Sequence, residues 1–247
     1  MEMKHKTVLV TGANSGIGEY VVTTLLETGA KVYAVDLYCD QLIKFKVKYS
    51  NQLEYIKYDL TNLESVGNIF DDANRKDFIF DGLVHCAGVS PLMKIEENDV
   101  EKMLLTYKVN VLSFIELLKF FYKPDFSRDC SSVVTMTSIA TTVASFRQTV
   151  YSSSKAALEQ VVRCAAKEFL DRKIRVNAVS AGAVETEMLV ELEKKSDGLR
   201  EKFYKYYPLG LISPEEVSNT LLYLLSDDSR HIDGSIIRID SGFFINK

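Results

Sequence analysis

An α/β fold, with a parallel sheet covered by helices on both faces, is what this sequence predicts, and three observations carry that expectation. Short β-rich apolar runs alternate with amphipathic stretches along the chain, the pattern of strands buried on both sides. The first run feeds directly into a glycine-rich turn, Thr11-Gly12-Ala13-Asn14-Ser15-Gly16-Ile17-Gly18, and then into a helical pattern. Farther along, Ser138 ends another apolar run and is followed by Tyr151 and Lys155, one helical turn apart.

The elements follow in order. Lys6-Thr7-Val8-Leu9-Val10 places the first strand near 6–11, and the apolar spacing of Tyr20, Val21, Val22, Leu25 and Leu26 places a helix near 16–28. Strand, glycine turn and helix in that order form a dinucleotide-binding unit: glycine lets the backbone approach a pyrophosphate, and the helix N-terminus offers free N–H groups. The second strand, near 31–35, ends in Asp36, close to the distance at which an acidic residue meets the adenosine ribose hydroxyls. Further strands are expected near 54–58, 82–86, 132–137, 174–178 and 235–239. Helices are expected near 62–74, 98–121, 151–171 and 214–226, with a shorter one near 40–48. Residues 185–212 break the rhythm with charges (Glu191, Glu193, Lys194, Lys195) and aromatics (Phe203, Tyr204, Tyr206, Tyr207).

Composition narrows the function classes. A net charge of −4 argues against nonspecific nucleic-acid binding, which depends on neutralising phosphates. No apolar stretch approaches the roughly 20 residues needed to span a bilayer, and no signal-peptide core is present, so the expectation is a soluble, cytoplasmic protein. Cys39, Cys86, Cys130 and Cys164 are scattered without a Cys-x-x-Cys pair, and no histidine has a ligand-like neighbour, so neither disulfides nor a metal is implied. At 247 residues without a Pro-, Gly- or Ser-rich linker, the chain reads as one domain over 1–247.

The chemistry lies in the Tyr/Lys pair. A phenol titrating near 10 is a poor proton carrier at neutral pH. An adjacent ammonium at i,i+4 favours the phenolate and makes the pair a usable acid/base couple. Lowering the phenol by roughly 2–3 units corresponds to about 3–4 kcal/mol of differential interaction. Alone, Tyr-x-x-x-Lys also describes many solvated helices; the glycine turn and Asp36 give it its weight.

Taken together, these motifs resemble the short-chain dehydrogenase/reductase family, in its single-domain branch of about 250 residues. The glycines follow that family's Gly-x-x-x-Gly-x-Gly form. The likeness extends through Asp59-Leu60, His85-Cys86-Ala87-Gly88, Asn110, Ser138, Tyr151 and Lys155 to Asn177-Ala178-Val179-Ser180-Ala181-Gly182-Ala183-Val184-Glu185-Thr186. Tyr207-Pro208-Leu209-Gly210 and Pro214-Glu215-Glu216-Val217 continue it. His85 stands where the family usually has Asn and reads as a structural hydrogen-bonding residue.

The resemblance, with right-handed crossovers, implies a Rossmann-type seven-stranded sheet in the order 3-2-1-4-5-6-7. It implies a nicotinamide cofactor across the carboxyl ends of the strands, held by Gly12, Asn14, Ser15, Gly16, Ile17, Gly18, Asp36, Asp59, Leu60, Cys86, Ala87, Gly88, Tyr151, Lys155, Ala181, Gly182, Val184 and Thr186. Ser138, Tyr151, Lys155 and Asn110 are the implied catalytic set: Ser138 stabilises the reacting oxygen, Tyr151 passes the proton, Lys155 lowers the phenol and binds the nicotinamide ribose, and Asn110 holds a water that links Lys155 to solvent. Residues 185–212 become the substrate-binding lobe. Pocket candidates Val89, Ile139, Phe146, Ala183 and Met188, beside Ser138 and Tyr151, are largely apolar and tilt toward a cyclic or hydrophobic substrate.

Asp36 would accept from ribose hydroxyls and repel a 2′-phosphate, with no Arg or Lys among Ala13, Asn14 and Ser15 and with Leu37 following, so NAD(H) is expected over NADP(H). The expected reaction interconverts a secondary alcohol and a ketone. The alternatives are an NADP(H)-dependent 3-oxoacyl-thioester reductase and a nonenzymatic NAD-binding regulator or scaffold. The small and apolar helices 98–121 and 151–170 suggest a homodimer or homotetramer.

Overall fold

The computed structural model describes residues 3–194 and 205–246. Seven parallel strands form one sheet in the order β3-β2-β1-β4-β5-β6-β7: β1 Thr7–Thr11, β2 Lys31–Asp36, β3 Leu53–Lys57, β4 Phe80–His85, β5 Ser127–Ser138, β6 Arg175–Ala181 and β7 Ile236–Ile239. The predicted order is therefore the observed one. The helices are α1 Gly16–Glu27, α2 Asp40–Lys48, α3 Gly67–Arg75, α4 Val100–Tyr107, α5 Ser113–Phe121, α6 Thr149–Glu168, α7 Glu187–Lys194 and α8 Pro214–Leu225.

Side chains alternate across the strands, and each face of the sheet buries its own core. On one face Leu9, Leu83 and Val133 pack with Phe70, Phe80, Phe114, Phe121 and Leu158, which brings α3, α5 and α6 against the sheet. On the other, Val8, Val10, Val84 and Val134 meet Val21, Leu25, Leu221 and Leu225 of α1 and α8. Each fully buried Phe or Leu stabilises by about 1.5–3 kcal/mol. The sequence of α8 specifies its own start: Ser213 accepts from Glu216 N, the Glu216 carboxylate accepts from Ser213 N, and Pro214 opens the helix. No helix among the described residues is long and apolar enough to cross a membrane.

Two elements differ from expectation in ways that matter. The helix expected over 98–121 is interrupted at Lys108–Leu112 by a π-helical turn separating α4 from α5, with fully buried Asn110 inside it. Strand β5 begins five residues early, at Ser127, because Ser127 pairs with Phe80; the register then shifts, and Cys130 takes a left-handed φ of 62°. Both irregularities are built from polar or mixed sequence, where hydrophobic periodicity carries no signal.

Candidate active site

The glycine turn joins β1 to α1 at the carboxyl edge of the sheet. Gly12 has φ 65°, and a Cβ there would lie 2.6 Å from Ala87 N; a Cβ on Gly18 would lie 1.9 Å from Gly12 O. Only glycine permits that closeness, which brings the turn against the Cys86-Ala87-Gly88 segment following β4. Ser15 is exposed, while Gly16 and Ile17 are half-buried. The turn is also tied to Asp36, whose Oδ2 accepts from Asn14 N at 2.9 Å and whose Oδ1 accepts from Tyr38 N at 3.1 Å. A carboxylate accepts about four hydrogen bonds, so two backbone donors leave Asp36 capacity for diol hydroxyls. The Asn14 side chain turns elsewhere: its Oδ1 accepts from Gln41 N and Leu42 N and caps α2. Asp59 accepts from Thr61 N and Oγ1, and Leu60 packs into the core.

Beside this cradle, β5 and α6 bring the candidate catalytic side chains together. The Ser138 hydroxyl lies near enough to the Tyr151 phenol to pull its pKa down, and Ser138 Oγ accepts from Ala140 N at 3.2 Å. Lys155 is 5% exposed, and its Nζ donates to Met136 O at 2.9 Å. Burial pulls the Lys155 ammonium down to about 8, the Cys86 thiol opposing. The Tyr151 phenol is pushed above its ordinary value by burial, with Ser138 pulling the other way. The expected lowering by Lys155 therefore does not set the phenol's state in this geometry: Nζ lies 6.0 Å from the Tyr151 ring centroid and points at Met136.

Asn110 commits both amide donors and one of its two acceptor positions to protein partners. Its Oδ1 accepts from Val89 N at 2.8 Å, and its Nδ2 donates to Val89 O at 2.9 Å and Ser154 Oγ at 2.9 Å. A Cβ on Gly88 would sit 3.3 Å from Lys155 Nζ and 3.4 Å from Asn110 Oδ1, so these three residues share one small volume.

The segment after β6 closes the other side. Gly182 N donates to Ile239 O, Ala183 N donates to the Tyr207 hydroxyl at 3.1 Å, and Val184 bridges to Ile212. Ala181 is buried in β6 opposite Ser138, and the Thr186 methyl would touch a Cβ on Gly16 at 3.7 Å. The pocket candidates are less uniform. Val89 is half-buried, Ile139 is 7% exposed within the core, and Phe146 is 81% exposed, so the last two do not line one common wall. Ala183 is half-buried in the same segment. The Met188 side chain lies outside the described residues, as do Lys195, Phe203 and Tyr204.

Of three further neighbours, the sequence marks His85 and Tyr207 without giving their partners, and gives no sign of Lys57. Lys57 is the register partner of Asp36, and both charges act on the Cys39 thiol, which puts a cation at the ribose end. Tyr207 anchors the loop after β6 through its hydroxyl. His85 is 1% exposed, stacks on Phe114 at 5.1 Å and pairs Nδ1 with Thr11 Oγ1 at 2.7 Å, leaving Nε2 unpartnered. Burial, with Lys155 contributing, holds it neutral down to about 3.

A glycine turn at the carboxyl edge of the sheet, a carboxylate tied to it and a Ser/Tyr/Lys cluster beside it are the arrangement of a nicotinamide-dependent oxidoreductase of the doubly wound class. The family model described as "Enoyl-(Acyl carrier protein) reductase" matches residues 12–244. The chain belongs to the short-chain dehydrogenase/reductase family. It is 30% identical to 3-oxoacyl-(acyl-carrier-protein) reductase FabG of Thermotoga maritima, over 99% of this chain and 100% of that one. It is also 30% identical to the vibriobactin-specific 2,3-dihydro-2,3-dihydroxybenzoate dehydrogenase of Vibrio cholerae, over 98% and 97%. Among solved structures, 4-hydroxyisoleucine dehydrogenase complexed with NADH superposes with a TM-score of 0.90 at 27% identity, covering 98% of this chain and 100% of that chain.

Proposed function

We propose that this protein is an NAD(H)-dependent dehydrogenase/reductase that interconverts a secondary alcohol and a ketone, with Ser138, Tyr151, Lys155 and Asn110 as its catalytic set. The observation that carries this reading is the convergence of Ser138, Tyr151 and buried Lys155 at the end of β5: Lys155 Nζ donates to Met136 O two residues before Ser138, lies 6.0 Å from the Tyr151 ring and faces Gly88. Gly12, Gly16 and Gly18 would cradle the pyrophosphate, Asp36 the adenosine ribose, and Lys155 the nicotinamide ribose, with Cys86-Ala87-Gly88 and the 181–186 segment completing the walls. A bound nicotinamide supplies or accepts the hydride.

The chain's own groups handle the oxygen and the proton. Ser138 donates to the reacting oxygen and stabilises the charge that develops on it. Tyr151, held neutral by burial, gives its phenolic proton to that oxygen in reduction and takes it back in oxidation. Lys155, with its ammonium brought down to about 8, is poised to exchange protons near neutral pH. Asn110 fixes the Val89 backbone and would hold the water that links Lys155 to solvent.

Two features of Asp36 support NAD(H): its negative charge and its spare acceptor capacity. Lys57 and the FabG likeness favour a second reading, an NADP(H)-dependent 3-oxoacyl-thioester reductase. Rates with both cofactors separate the two. We read 185–212 as the substrate lobe of a single cytoplasmic domain acting on a small molecule. The exposed Val100, Leu104, Leu112 and Ile115 along α4 and α5 support a homodimer or homotetramer, which sedimentation tests. The function itself is tested with a panel of cyclohexanol, 1-phenylethanol, 2-octanol, xylitol and a 3-hydroxybutyryl thioester. Tyr151→Phe should lower kcat/KM by about 10²–10⁴-fold with unchanged NADH affinity. A Tyr151→Phe variant as active as the parent, or a parent inert on every alcohol, refutes the reading in favour of an NAD-binding regulator.

A further inference from the structure

Arg147, four residues before Tyr151, combines several unfavourable features. Its φ is 64°, a left-handed backbone that glycine adopts freely and a long side chain does not. Its Nε is buried without a partner, although its side chain as a whole is 36% exposed. Conformational and hydrogen-bonding costs of this kind persist where the surrounding structure enforces them, and they cluster at functional sites.

What enforces them is a set of bonds between two loops. Arg147 Nη2 pairs with Glu97 Oε2 at 3.1 Å and lies 3.5 Å from Leu92 O. The Arg147 carbonyl accepts from Met93 N at 2.9 Å. Glu97 Oε2 in turn accepts from Lys94 N at 2.8 Å. At its other end the same segment is gripped by Asn110, which holds both backbone groups of Val89. The stretch from Val89 to Glu97 is thus fastened to the neighbourhood of Lys155 at one end and to the approach to Tyr151 at the other. The Glu97 carboxylate already neutralises the guanidinium, which speaks for a clamp and against a substrate-anion ligand.

We propose that Arg147 and Glu97 form a positioning clamp that holds segment 89–97 against the start of α6 and so fixes the width of the substrate space before Tyr151. This rests on the reading of Ser138 and Tyr151 as the reacting pair. Arg147→Gly is the informative variant, because glycine accepts the local φ while the clamp is lost. Its backbone amides at 93 and 94 should exchange with deuterium roughly tenfold faster than in the parent. For cyclohexanol, or whichever panel alcohol turns over fastest, KM should rise roughly tenfold with a much smaller change in kcat, and NADH affinity should be unchanged. Glu97→Gln should move the same quantities in the same direction. Arg147→Lys, which keeps a cation within reach of Glu97, should recover most of the KM.

In an active parent, an unchanged KM or unchanged exchange in Arg147→Gly overturns the clamp while leaving the dehydrogenase standing. A rise in KM that Arg147→Lys does not reverse also overturns it. A parent inert on the whole panel, with Tyr151→Phe indistinguishable from it, removes the dehydrogenase reading and the clamp together.

Discussion

Acid should destabilise this protein through His85, and the size of the effect follows from its surroundings. The imidazole is enclosed, bonded only through Nδ1 to Thr11, stacked on Phe114 and within the field of the Lys155 ammonium. Its folded-state pKa sits near 3 against 6.5 in the unfolded chain, so between those values the unfolded state binds the extra proton. A depressed histidine thus stabilises the fold above its unfolded pKa and withdraws that contribution as pH falls toward 3. At pH 5 the unfolded chain gains about 1.5 pKa units of protonation free energy that the folded one does not, or about 2 kcal/mol.

The perturbation is a drop from pH 7 to pH 5 in the parent and in His85→Asn, which cannot titrate. Because the sequence has no tryptophan, urea unfolding is best followed by circular dichroism. The parent should lose about 2 kcal/mol more than His85→Asn over that interval, whatever fixed difference the lost Phe114 contact imposes at both pH values. Equal pH dependence in the two proteins would show that His85 finds a proton acceptor in the fold and would refute the argument.

Other outcomes are as definite. Gly18→Ala places a Cβ 1.9 Å from Gly12 O, so it should abolish NADH binding or destabilise the fold by more than about 2 kcal/mol, measured by fluorescence titration and urea melting. Asp36→Ala with Leu37→Arg should shift the kcat/KM ratio toward NADP(H) by at least about tenfold; no shift would mean that Lys57 already receives the phosphate. Lys155→Met removes a buried ammonium held down at about 8. The parent should gain stability between pH 8 and 10 as that penalty is relieved, and the variant should show no such rise in chemical unfolding.

The sheet was legible because apolar strand runs and punctuating glycines are local signals. The spacing of Gly12, Gly18 and Asp36 predicts a tight turn beside a carboxylate, and the structure ties the two together through Asn14 N. What escaped depends on distant partners. Nothing near Asn14 marks it as the cap of α2, since the N–H groups that donate to its side chain lie 27 and 28 residues away. Lys57 becomes a neighbour of Asp36 only through strand register. The polar start of β5 resembles a loop until Phe80 is placed beside it. The lowering of Tyr151 expected from Lys155 failed because i,i+4 spacing fixes a shared face but leaves the ammonium free to choose the Met136 carbonyl.

The π-helical turn at Lys108–Leu112 makes chain length itself a functional variable. A π turn carries one residue more than an α-helical turn over about the same rotation, so removing one residue here would close it to a regular helix and leave α4 and α5 in nearly their present phase. The outward stripe of Val100 and Leu104 would keep its direction, whereas Asn110, held inside the turn, would lose the place from which it grips both backbone groups of Val89. A single-codon deletion within the turn would thus leave the helix standing and release the 89–97 segment at its Val89 end.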